Sequence, residues 1–496
     1  MSDKVIITLL PLRKKLSVKR GARLSDILFA YGIEFPCGAK GNCGRCLIRL
    51  IEGELEASTA QKKLLMRAGV TDSWRLACYC KVTSDITISI SQFDNIILAD
   101  NTQFSFEPGE GYGIAIDVGT TTIVGQLLDL KTSQVLDAVS EINPQMRFGT
   151  DLISRLESCS EGKQALMQRL IHETVGKMIL KMQHNLRVNI EKIIMVGNTV
   201  MHHIFSGLEI QPLLFYPFCS SHLEARDFTS ESLRWKLSRN VPVRFLPLIG
   251  GFVGSDILAG IAATRLAEDK TYKVLVDLGT NGEIVLGNCE RIYCASTAAG
   301  PAFEGASIKY GMRAVPGAIS SVCVKNGQMN YNVIGGAEPL GICGSGLIDA
   351  IAALLQLEMI GPFGEISSGE KMIKIAPGVM LTQQDIREFQ LAKAAVAAGL
   401  QILLNMAGIT HNQIQQVFIA GGFGTFLNLK NVVSTRLLEV EEGKIIKMGN
   451  TALLGAKMFL FKNNSFAQNI LSKIQHINLE ANPAFQDIFI EKLPLG

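Results

Sequence analysis

An apolar strand, a tight turn and a second apolar strand are predicted by Gly113-Ile-Ala-Ile-Asp117-Val-Gly119-Thr120-Thr121-Thr122-Ile-Val-Gly125. The same arrangement returns at Lys273-Val-Leu-Val-Asp277-Leu-Gly279-Thr280-Asn281-Gly282-Glu283-Ile-Val-Leu-Gly287. A single Asp-x-Gly-Thr turn is most often an ordinary hairpin. Two copies in matching strand contexts instead indicate two homologous lobes.

Both turns carry the residue types that bind phosphate. Glycine lets the backbone approach phosphoryl oxygens, and threonine hydroxyls and backbone amides donate hydrogen bonds to them. An aspartate carboxylate can face a phosphate only across Mg²⁺, so Asp117 and Asp277 are predicted catalytic residues. The chain has no Gly-x4-Gly-Lys-Ser/Thr sequence, which excludes a P-loop. The predicted nucleotide-binding residues of the two turns are Gly119, Thr120, Thr121, Thr122, Gly279, Thr280, Asn281 and Gly282.

A second pair of related segments follows the two turns in the same order. These segments are Lys192-Ile-Ile-Met-Val-Gly197-Asn198-Thr199 and Gln416-Val-Phe-Ile-Ala-Gly421-Gly422-Phe423-Gly424. Each is an apolar strand that ends in a glycine turn, which supports the prediction of two lobes.

Asp256 interrupts the longest apolar stretch of the chain, Leu248 to Ala263. Its carboxylate could orient water or Mg²⁺ as a third catalytic residue, and the alternative is that Ser255 or Asp256 caps a helix. Glu283 and Glu304 could assist hydrolysis. The sequence alone does not identify the hydrolytic base.

The cysteines of the chain are strongly clustered. Five of the eleven lie in the first 80 residues, and Cys37-Gly-Ala-Lys-Gly-Asn-Cys43-Gly-Arg-Cys46 places three of them in one loop. With Cys78 they form a three-plus-one set that is typical of an iron–sulfur cluster, whereas zinc sites usually pair their cysteines two and two. We therefore predict a [2Fe–2S] cluster on Cys37, Cys43, Cys46 and Cys78, with zinc or a structural cluster as alternatives.

The first 95 residues predict a small α+β domain of β-grasp-like type. Strands are expected at Val5 to Leu10, Lys15 to Val18, a segment ending at Glu52, and Asp85 to Ile90. Helices are expected at Leu24 to Tyr31 and at Thr59 to Ala68. This part holds 15 Lys/Arg against 9 Asp/Glu, whereas the remainder is slightly acidic, so the two parts of the chain differ in net charge.

Four segments are expected along the chain. Residues 1–93 are expected to form the cysteine-rich α+β domain, and residues 94–112 a linker rich in residues that break helix and strand patterns. Residues 113–270 form the first lobe. Residues 271–496 form the second lobe together with a C-terminal return.

Composition and charge exclude several classes of protein. The net charge of +3 is too balanced for a protein built around a nucleic-acid backbone. The N-terminus lacks the pattern of a signal peptide, and the Gly-rich apolar stretch around Asp256 falls short of a bilayer span. Because the clustered cysteines also favour a metal site over disulfides, we expect a soluble, cytoplasmic protein.

These motifs resemble the phosphate-1, phosphate-2 and adenosine motifs of the superfamily of acetate kinase, sugar kinases, heat-shock chaperones and actin. The resemblance implies a two-lobed ATPase that binds ATP in the cleft between its lobes. It also implies that Gly421, Gly422 and Gly424 contact the nucleotide. Helices such as Asp385 to Asn405, which is rich in alanine, would flank the sheets and carry the hinge between the lobes.

The N-terminal cysteines resemble those of vertebrate-type and bacterial monooxygenase ferredoxins. Cys78 and Cys80 are spaced i and i+2, so on an extended strand they would share a face and geometry would not choose between them. The resemblance does choose, because Arg75-Leu-Ala-Cys78 is similar to the fourth-ligand segment of those ferredoxins. Cys80 would then pack as a small apolar side chain.

A ferredoxin domain joined to such an ATPase resembles the reductive activators of corrinoid proteins. Segments similar to that family include Val196 to His203, Ser296 to Gly305, Gly341 to Asp349 and Ile419 to Gly424. The resemblance implies ATP-dependent one-electron reduction of a corrinoid protein from Co(II) to Co(I). The short linker resembles members associated with O-demethylating methyltransferase systems. The implied partners are the corrinoid protein, a reduced electron donor protein and a second copy of the chain bound through the ATPase domain.

Two other functions stay open on the sequence alone. One is activation of another low-potential radical enzyme such as a dehydratase, although those activators hold a [4Fe–4S] cluster between subunits. The other is a nucleotide-gated electron carrier that does not turn ATP over. His202 and His203 could face a partner or cobalt, and a structural role is the alternative.

Overall fold

The computed structural model describes residues 4–10, 14–28, 41, 46–67, 73–89, 104–149, 151–186, 188–279, 281–314, 317–334, 338–424 and 426–496. Three central sheets organise this part of the chain, one of five strands and two of six strands. A small α+β region is followed by two larger α/β regions. The predicted class, a ferredoxin-type domain followed by a two-lobed actin-like fold, is confirmed.

The N-terminal region contains a mixed sheet in the order β2-β1-β7-β4-β5. Strand β1 pairs parallel with β7, and the other neighbours in this sheet are antiparallel. The predicted strands and helices are found here, and the helix expected to reach Tyr31 is described as far as Leu28. The elements are β1 (Lys4–Leu10), β2 (Lys14–Lys19), β3 (Ala22–Arg23), α1 (Leu24–Leu28), β4 (Leu47–Glu52), α2 (Thr59–Arg67), β5 (Trp74–Leu76), β6 (Lys81–Val82) and β7 (Ile86–Ser89).

The first lobe is built on a sheet in the order β10-β9-β8-β11-β13-β12. Its helices pack on this sheet around a core of aliphatic and aromatic side chains. The elements are β8 (Tyr112–Val118), β9 (Thr122–Asp129), β10 (Val135–Ile142), α3 (Leu152–Ser158), α4 (Gln164–Leu186), β11 (Ile190–Gly197), α5 (Thr199–Ser206), α6 (Gln211–Leu214), β12 (Arg226–Thr229), β13 (Pro242–Phe245) and α7 (Ser255–Ala263).

The second lobe repeats this plan with a sheet in the order β23-β22-β14-β15-β16-β24. Two smaller sheets, β18-β17-β19 and β20-β21, are added to it. The elements are β14 (Tyr272–Leu278), β15 (Gly282–Gly287), β16 (Ile292–Thr297), β17 (Ala318–Lys325), β18 (Gln328–Val333), β19 (Gly341–Ile342), α8 (Gly344–Gln356), β20 (Met372–Ala376), β21 (Val379–Thr382), α9 (Gln383–Ala407), β22 (Ile414–Ala420), α10 (Gly421–Gly424), α11 (Leu429–Ser434), β23 (Ile445–Gly449), α12 (Thr451–Phe459), α13 (Asn464–Leu471), β24 (Ile474–His476) and α14 (Phe485–Glu491).

The strand pairing explains why the sequence repeat places its aspartates in equivalent positions. In the first lobe β8 pairs antiparallel with β9 and parallel with β11, and Asp117 lies opposite Val196. In the second lobe β14 pairs antiparallel with β15 and parallel with β22, and Asp277 lies opposite Ala420. Both aspartates therefore lie at the carboxyl end of a central, mostly buried strand, where ligands bind in sheets of this kind.

Helices α7 and α12 occupy the space between the two large sheets. Their side chains share one hydrophobic core with residues from strands of both lobes, including Ala115 of β8 and Leu275 of β14. Gly455 makes the close crossing possible, because a Cβ there would lie 2.0 Å from the carbonyl oxygen of Ala259. These two helices form the connection between the lobes.

The hinge role predicted for Asp385 to Asn405 is therefore wrong. Helix α9 does flank a sheet, but it packs within the second lobe, where Phe389 and Val396 belong to that lobe's own core. Alanine content predicted close packing correctly, but it did not distinguish a helix inside one lobe from a helix between two lobes. Among the described residues, α9 is also the one helix long and apolar enough to span a membrane, and its mostly buried position is that of a core helix.

The N-terminal region packs against the first lobe just after β10. Met146, in a 3₁₀ turn at Pro144–Phe148, is 2% exposed and belongs to the same hydrophobic core as Leu76 and Ile88 of the N-terminal region. Ile142 packs against this core from the end of β10. The contact thus lies within a few residues of the segment that supports the first Asp-x-Gly-Thr turn.

Candidate functional site

The first Asp-x-Gly-Thr turn joins β8 to β9. Position 119 requires glycine, because the Cβ of any other residue would lie 2.5 Å from the carbonyl oxygen of Thr122. Asn143 supports the turn from one side, because its side-chain amide donates to the Gly119 carbonyl at 2.8 Å and its backbone N–H donates to the Thr121 carbonyl at 2.8 Å. The predicted residues Gly119 to Thr122 are therefore held together as one rigid loop.

Two more side chains fix Thr120. The Asn198 amide donates to the Thr120 hydroxyl at 2.9 Å. The guanidinium of Arg155 donates to the Thr120 carbonyl and, at 3.0 Å, to the Gly149 carbonyl. Arg155 is fully buried, and this burial lowers its pKa to about 9. The sequence analysis did not find Arg155, because it comes from a helix that carries no recognisable motif.

The second turn joins β14 to β15 and is closed by the Gly279 N–H, which donates to the Asn281 carbonyl at 3.1 Å. Thr280 lies outside the described residues. Gly421, at the start of α10, has a positive φ of 85°, and a Cβ there would lie 2.7 Å from Oδ1 of Asp277. The predicted adenosine segment Gly421, Gly422 and Gly424 therefore begins directly beside the second aspartate.

The three predicted catalytic aspartates come together at the base of the cleft. Burial raises the pKa of Asp117 to about 6, and a hydrogen bond from Asn450 opposes that rise. Burial and the Asp117 carboxylate raise the pKa of Asp277 to about 7. Burial raises the pKa of Asp256 to about 8, with the carboxylates of Asp117 and Asp277 adding to the rise. The pKa of Glu283 is also raised well above its usual range by burial and by two of these aspartates.

Such a group of carboxylates fits a divalent cation, whose charge would favour the ionised forms. Among the described residues, no three His, Cys, Asp or Glu side chains are grouped closely enough to hold a metal ion by themselves. Mg²⁺ keeps several waters and is commonly bound by one or two carboxylates together with nucleotide phosphates.

The alternative predicted for Asp256, helix capping, is found in part, because its Oδ1 accepts the Ile257 N–H at 2.9 Å in the first turn of α7. Helix α7 begins after Gly254, which offers no side-chain cap, and Asp256 lies in the first turn. The Ser255 hydroxyl instead bonds to both the N–H and the carbonyl of Gly197, each at 3.1 Å. Ser255 thus ties α7 to the end of β11, while the Asp256 carboxylate accepts the Ile257 N–H and also interacts with the carboxylates of the other two aspartates.

The raised pKa values predict how stability depends on pH without a cation. The three aspartates hold protons more tightly in the folded protein than in the unfolded chain, so their stabilising effect is complete below about pH 4 and is lost as pH rises to about 8. We expect the thermal unfolding midpoint in EDTA to fall between pH 5.5 and 8.5. Asp256→Asn should flatten this dependence, and a midpoint that is constant in the wild type would contradict it.

Two of the four cysteines predicted to hold the iron–sulfur cluster, Cys46 and Cys78, lie among the described residues and are close together. The Cys78 N–H donates to Sγ of Cys46 at 3.4 Å, and backbone amides directed at sulfur are typical of iron–sulfur sites. Cys37 and Cys43 lie outside the described residues. The contact places Cys46 and Cys78 next to each other, and the four-cysteine ligand set stays a prediction.

Cys78 and Cys80 do not share a face, contrary to the expectation for an extended strand. Residues Ala77–Tyr79 form a 3₁₀ turn between β5 and β6. This turn brings the Cys78 N–H to Sγ of Cys46, while Cys80 is buried and its thiol donates to the Leu76 carbonyl at 3.4 Å. Burial raises the pKa of Cys80 to about 11, which disfavours the thiolate that a cluster ligand must supply.

His202 and His203 are both fully buried in α5, so neither faces a partner. The His203 ring bonds to the Thr199 carbonyl at 2.9 Å and to the Ser220 hydroxyl at 2.7 Å. His202 packs edge-on against Phe245, and burial lowers its pKa to about 3, which keeps the ring neutral. Both histidines therefore have a structural role in the first lobe, which was the alternative to contact with a partner or cobalt.

The fold and these sites define an iron–sulfur protein with a two-lobed, nucleotide-binding ATPase domain of the actin-like type. Residues 7–83 match the 2Fe–2S iron–sulfur cluster binding domain. Residues 112–269 match the RACo middle region, and residues 271–495 match the C-terminal domain of RACo, the ASKHA domain. The chain belongs to the RACo family.

Similar proteins carry names that agree with this assignment. The chain is 29% identical to the corrinoid activation enzyme RamQ of Eubacterium limosum, over 98% of each chain. It is 26% identical to a [Co(II) methylated amine-specific corrinoid protein] reductase of Methanosarcina barkeri, over 77% of this chain and 76% of that protein. A solved structure, the reductive activator for corrinoid, iron–sulfur protein, is 25% identical with a TM-score of 0.68, covering 99% of this chain and 98% of that one.

Proposed function

We propose that this protein is an ATP-dependent reductase that restores a corrinoid protein from Co(II) to Co(I). The observation that carries the proposal is the presence, in one chain, of the neighbouring cysteines Cys46 and Cys78 and of two equivalent strand ends whose carboxylates, Asp117 and Asp277, interact. The first group suits one-electron transfer and the second suits nucleotide phosphates. The names of the similar proteins support the same substrate.

We assign the bound groups to the following residues. Cys37, Cys43, Cys46 and Cys78 would hold the [2Fe–2S] cluster, which supplies a one-electron relay. Asp117, Asp277 and Asp256 would face Mg²⁺ directly or through water. The nucleotide would contact both Asp-x-Gly-Thr turns and the adenosine segment, through Gly119, Thr120, Thr121, Thr122, Gly279, Thr280, Asn281, Gly282, Gly421, Gly422 and Gly424.

The role of ATP in this proposal is conformational. Reduction to Co(I) lies below the potential of ordinary cellular donors, and for one electron each ~59 mV of uphill gap costs a factor of ten in the equilibrium. Binding of MgATP between the lobes favours the closed arrangement by the difference in its affinity for the two states. Closure then alters the complex with the corrinoid protein so that electron transfer becomes favourable, and hydrolysis resets the lobes.

The remaining parts of the proposal concern organisation and partners. We assign residues 1–93 to the ferredoxin domain, 94–112 to the linker, and 113–270 and 271–496 to the two lobes. An electron donor protein would reduce the cluster, and two chains would associate through the ATPase domain in the cytoplasm. The short linker favours a methyltransferase system of the O-demethylating type.

One assay tests the function directly. A corrinoid protein in the Co(II) state is mixed with the reduced protein, and the absorbance change from cob(II)alamin to cob(I)alamin is followed with and without MgATP. We expect Co(I) to form only with MgATP, because the electron transfer alone is uphill. Equal formation of Co(I) without nucleotide would indicate an electron carrier, and no formation under either condition would reject the proposed substrate.

A further inference from the structure

The sequence Gly-Asn-Thr occurs twice, at Gly197–Thr199 and at Gly449–Thr451. Each copy ends a strand of a large sheet, β11 or β23, and begins a helix, α5 or α12. In each copy the asparagine is the N-cap, and its side-chain oxygen accepts a backbone N–H of the first helical turn. The two asparagines are thus equivalent in local structure, which makes the difference between their other contacts informative.

The two asparagine side chains reach the same turn from different lobes. Asn198 belongs to the first lobe and donates to the hydroxyl of Thr120 at 2.9 Å. Asn450 follows the second lobe's edge strand β23 and donates to Oδ2 of Asp117 at 2.9 Å, across 333 positions of sequence. The Asn450 hydrogen bond therefore connects the second lobe to the first at the base of the cleft.

The other end of the Asn450 side chain is fixed to the interlobe helix α12. Its Oδ1 accepts the Leu453 N–H at 2.8 Å. Helix α12 packs against α7 in the core between the two sheets, with Gly455 against the backbone of Ala259. One amide group thus joins a carboxylate of the nucleotide site to the helix on which the two lobes meet.

We propose that Asn450 is a positioning residue that couples nucleotide occupancy at Asp117 to the movement of α12. This inference rests on the proposed function, since it assigns the residue that transmits the effect of MgATP. When MgATP engages the Asp117 carboxylate, the Asn450 amide follows the carboxylate oxygen it is bonded to. The capping bond then carries this displacement into the first turn of α12, and the lobes close.

The test separates coupling from binding. Asn450→Ser keeps a side-chain oxygen that caps α12, but it is too short to reach Asp117. The Asn450 hydrogen bond also lowers the pKa of Asp117, so the comparison is made at about pH 8.5, where that carboxylate is ionised in both proteins. We expect nucleotide affinity, measured by calorimetry, to stay near the wild-type value there. The ATP-stimulated rate of Co(I) formation at saturating MgATP should fall about tenfold, within the usual range of coupling energies. Weakened nucleotide binding with a normal rate at saturation would overturn the proposal.

Asn198→Ser is the matched control. It removes the equivalent donor to Thr120 but breaks no bond between the lobes. We expect weaker nucleotide binding and a smaller loss of the ATP-stimulated rate at saturation than Asn450→Ser shows. If Asn198→Ser and Asn450→Ser lower that rate equally, the special role of the Asn450 contact is contradicted.

A second measurement does not depend on the corrinoid partner. Hydrogen exchange of the α12 amides, Thr451–Phe459, is compared with and without MgATP in wild type and Asn450→Ser. We expect a nucleotide-dependent change in the wild type that is lost in the variant, whose thermal unfolding midpoint should stay close to wild type. If this pattern is seen but the wild type makes no Co(I), the proposed function fails and the coupling stands. If MgATP changes the hydrogen exchange of α12 in Asn450→Ser as much as in the wild type, the proposed coupling is rejected.

Discussion

Replacing Asp117 or Asp277 with alanine is expected to abolish MgATP-dependent activation while the visible spectrum of the iron–sulfur cluster stays unchanged. Each carboxylate lies at the end of a central strand, and the Asp117 carboxylate contributes to the raised pKa of Asp277. Removing either one removes a charge that would face the cation and the transferring phosphate. Losses of on the order of 10²-fold or more are typical when one such electrostatic partner is deleted. The cysteines predicted to hold the cluster lie in the N-terminal region, outside both lobes, so the visible spectrum should not change.

Isosteric variants separate charge from folding. Asp117→Asn retains the shape of the side chain and an oxygen that can accept the Asn450 hydrogen bond, but it has no charge. Asp277→Asn is the equivalent change in the second lobe. Both should fold and keep the cluster spectrum, and both should lose activation as severely as the alanine variants. Wild-type activation by either asparagine variant would show that the nucleotide site is placed wrongly.

Cys78→Ser is expected to bleach or shift the visible spectrum and to change the EPR signal of the reduced cluster, whereas Cys80→Ser leaves both close to wild type. The Cys78 N–H contacts Sγ of Cys46, and the buried Cys80 thiol donates to the Leu76 carbonyl and has a raised pKa. A serine oxygen is a poor substitute for a thiolate on iron, so loss at Cys78 affects the cluster itself.

The Cys80 variant is also the control for stability. Because Cys80 is buried, Cys80→Ser should lower the thermal unfolding midpoint modestly by placing a hydroxyl in an apolar site. It should do so without altering the spectrum of the folded protein. A spectral change in Cys80→Ser, with a normal spectrum in Cys78→Ser, would move the fourth ligand to Cys80.

The sequence predicted the parts of the nucleotide site that lie within short motifs. Asp117 and Asp277 were found because each follows an apolar strand and precedes a Gly-Thr turn, and the strand pairing makes their positions equivalent. Asn450 was missed because its contact with Asp117 depends on the packing of two lobes. A signal was available, since Gly449-Asn450-Thr451 repeats the Gly-Asn-Thr sequence already noted at Gly197.

Where the sequence analysis failed, a local conformation or a tertiary position was assumed from composition. Cys78 and Cys80 were placed on one face because an extended strand was assumed, and the 3₁₀ turn at Ala77–Tyr79 separates them. Alanine-rich α9 was taken for the hinge because small residues permit close contact. The helices that connect the lobes, α7 and α12, carry a less obvious pattern, and only the sheet packing identifies them.

The crossing of α7 and α12 at Gly455 and Ala259 has a mechanical consequence. Backbone atoms in such close contact cannot slide past each other without a clash, so the crossing acts as a fulcrum and permits rotation far more readily than translation. Ala115 of β8 and Leu275 of β14 pack in the same core as these two helices. A rotation at the crossing would therefore change the angle between the two large sheets, and residues far from the crossing would move further than residues beside it.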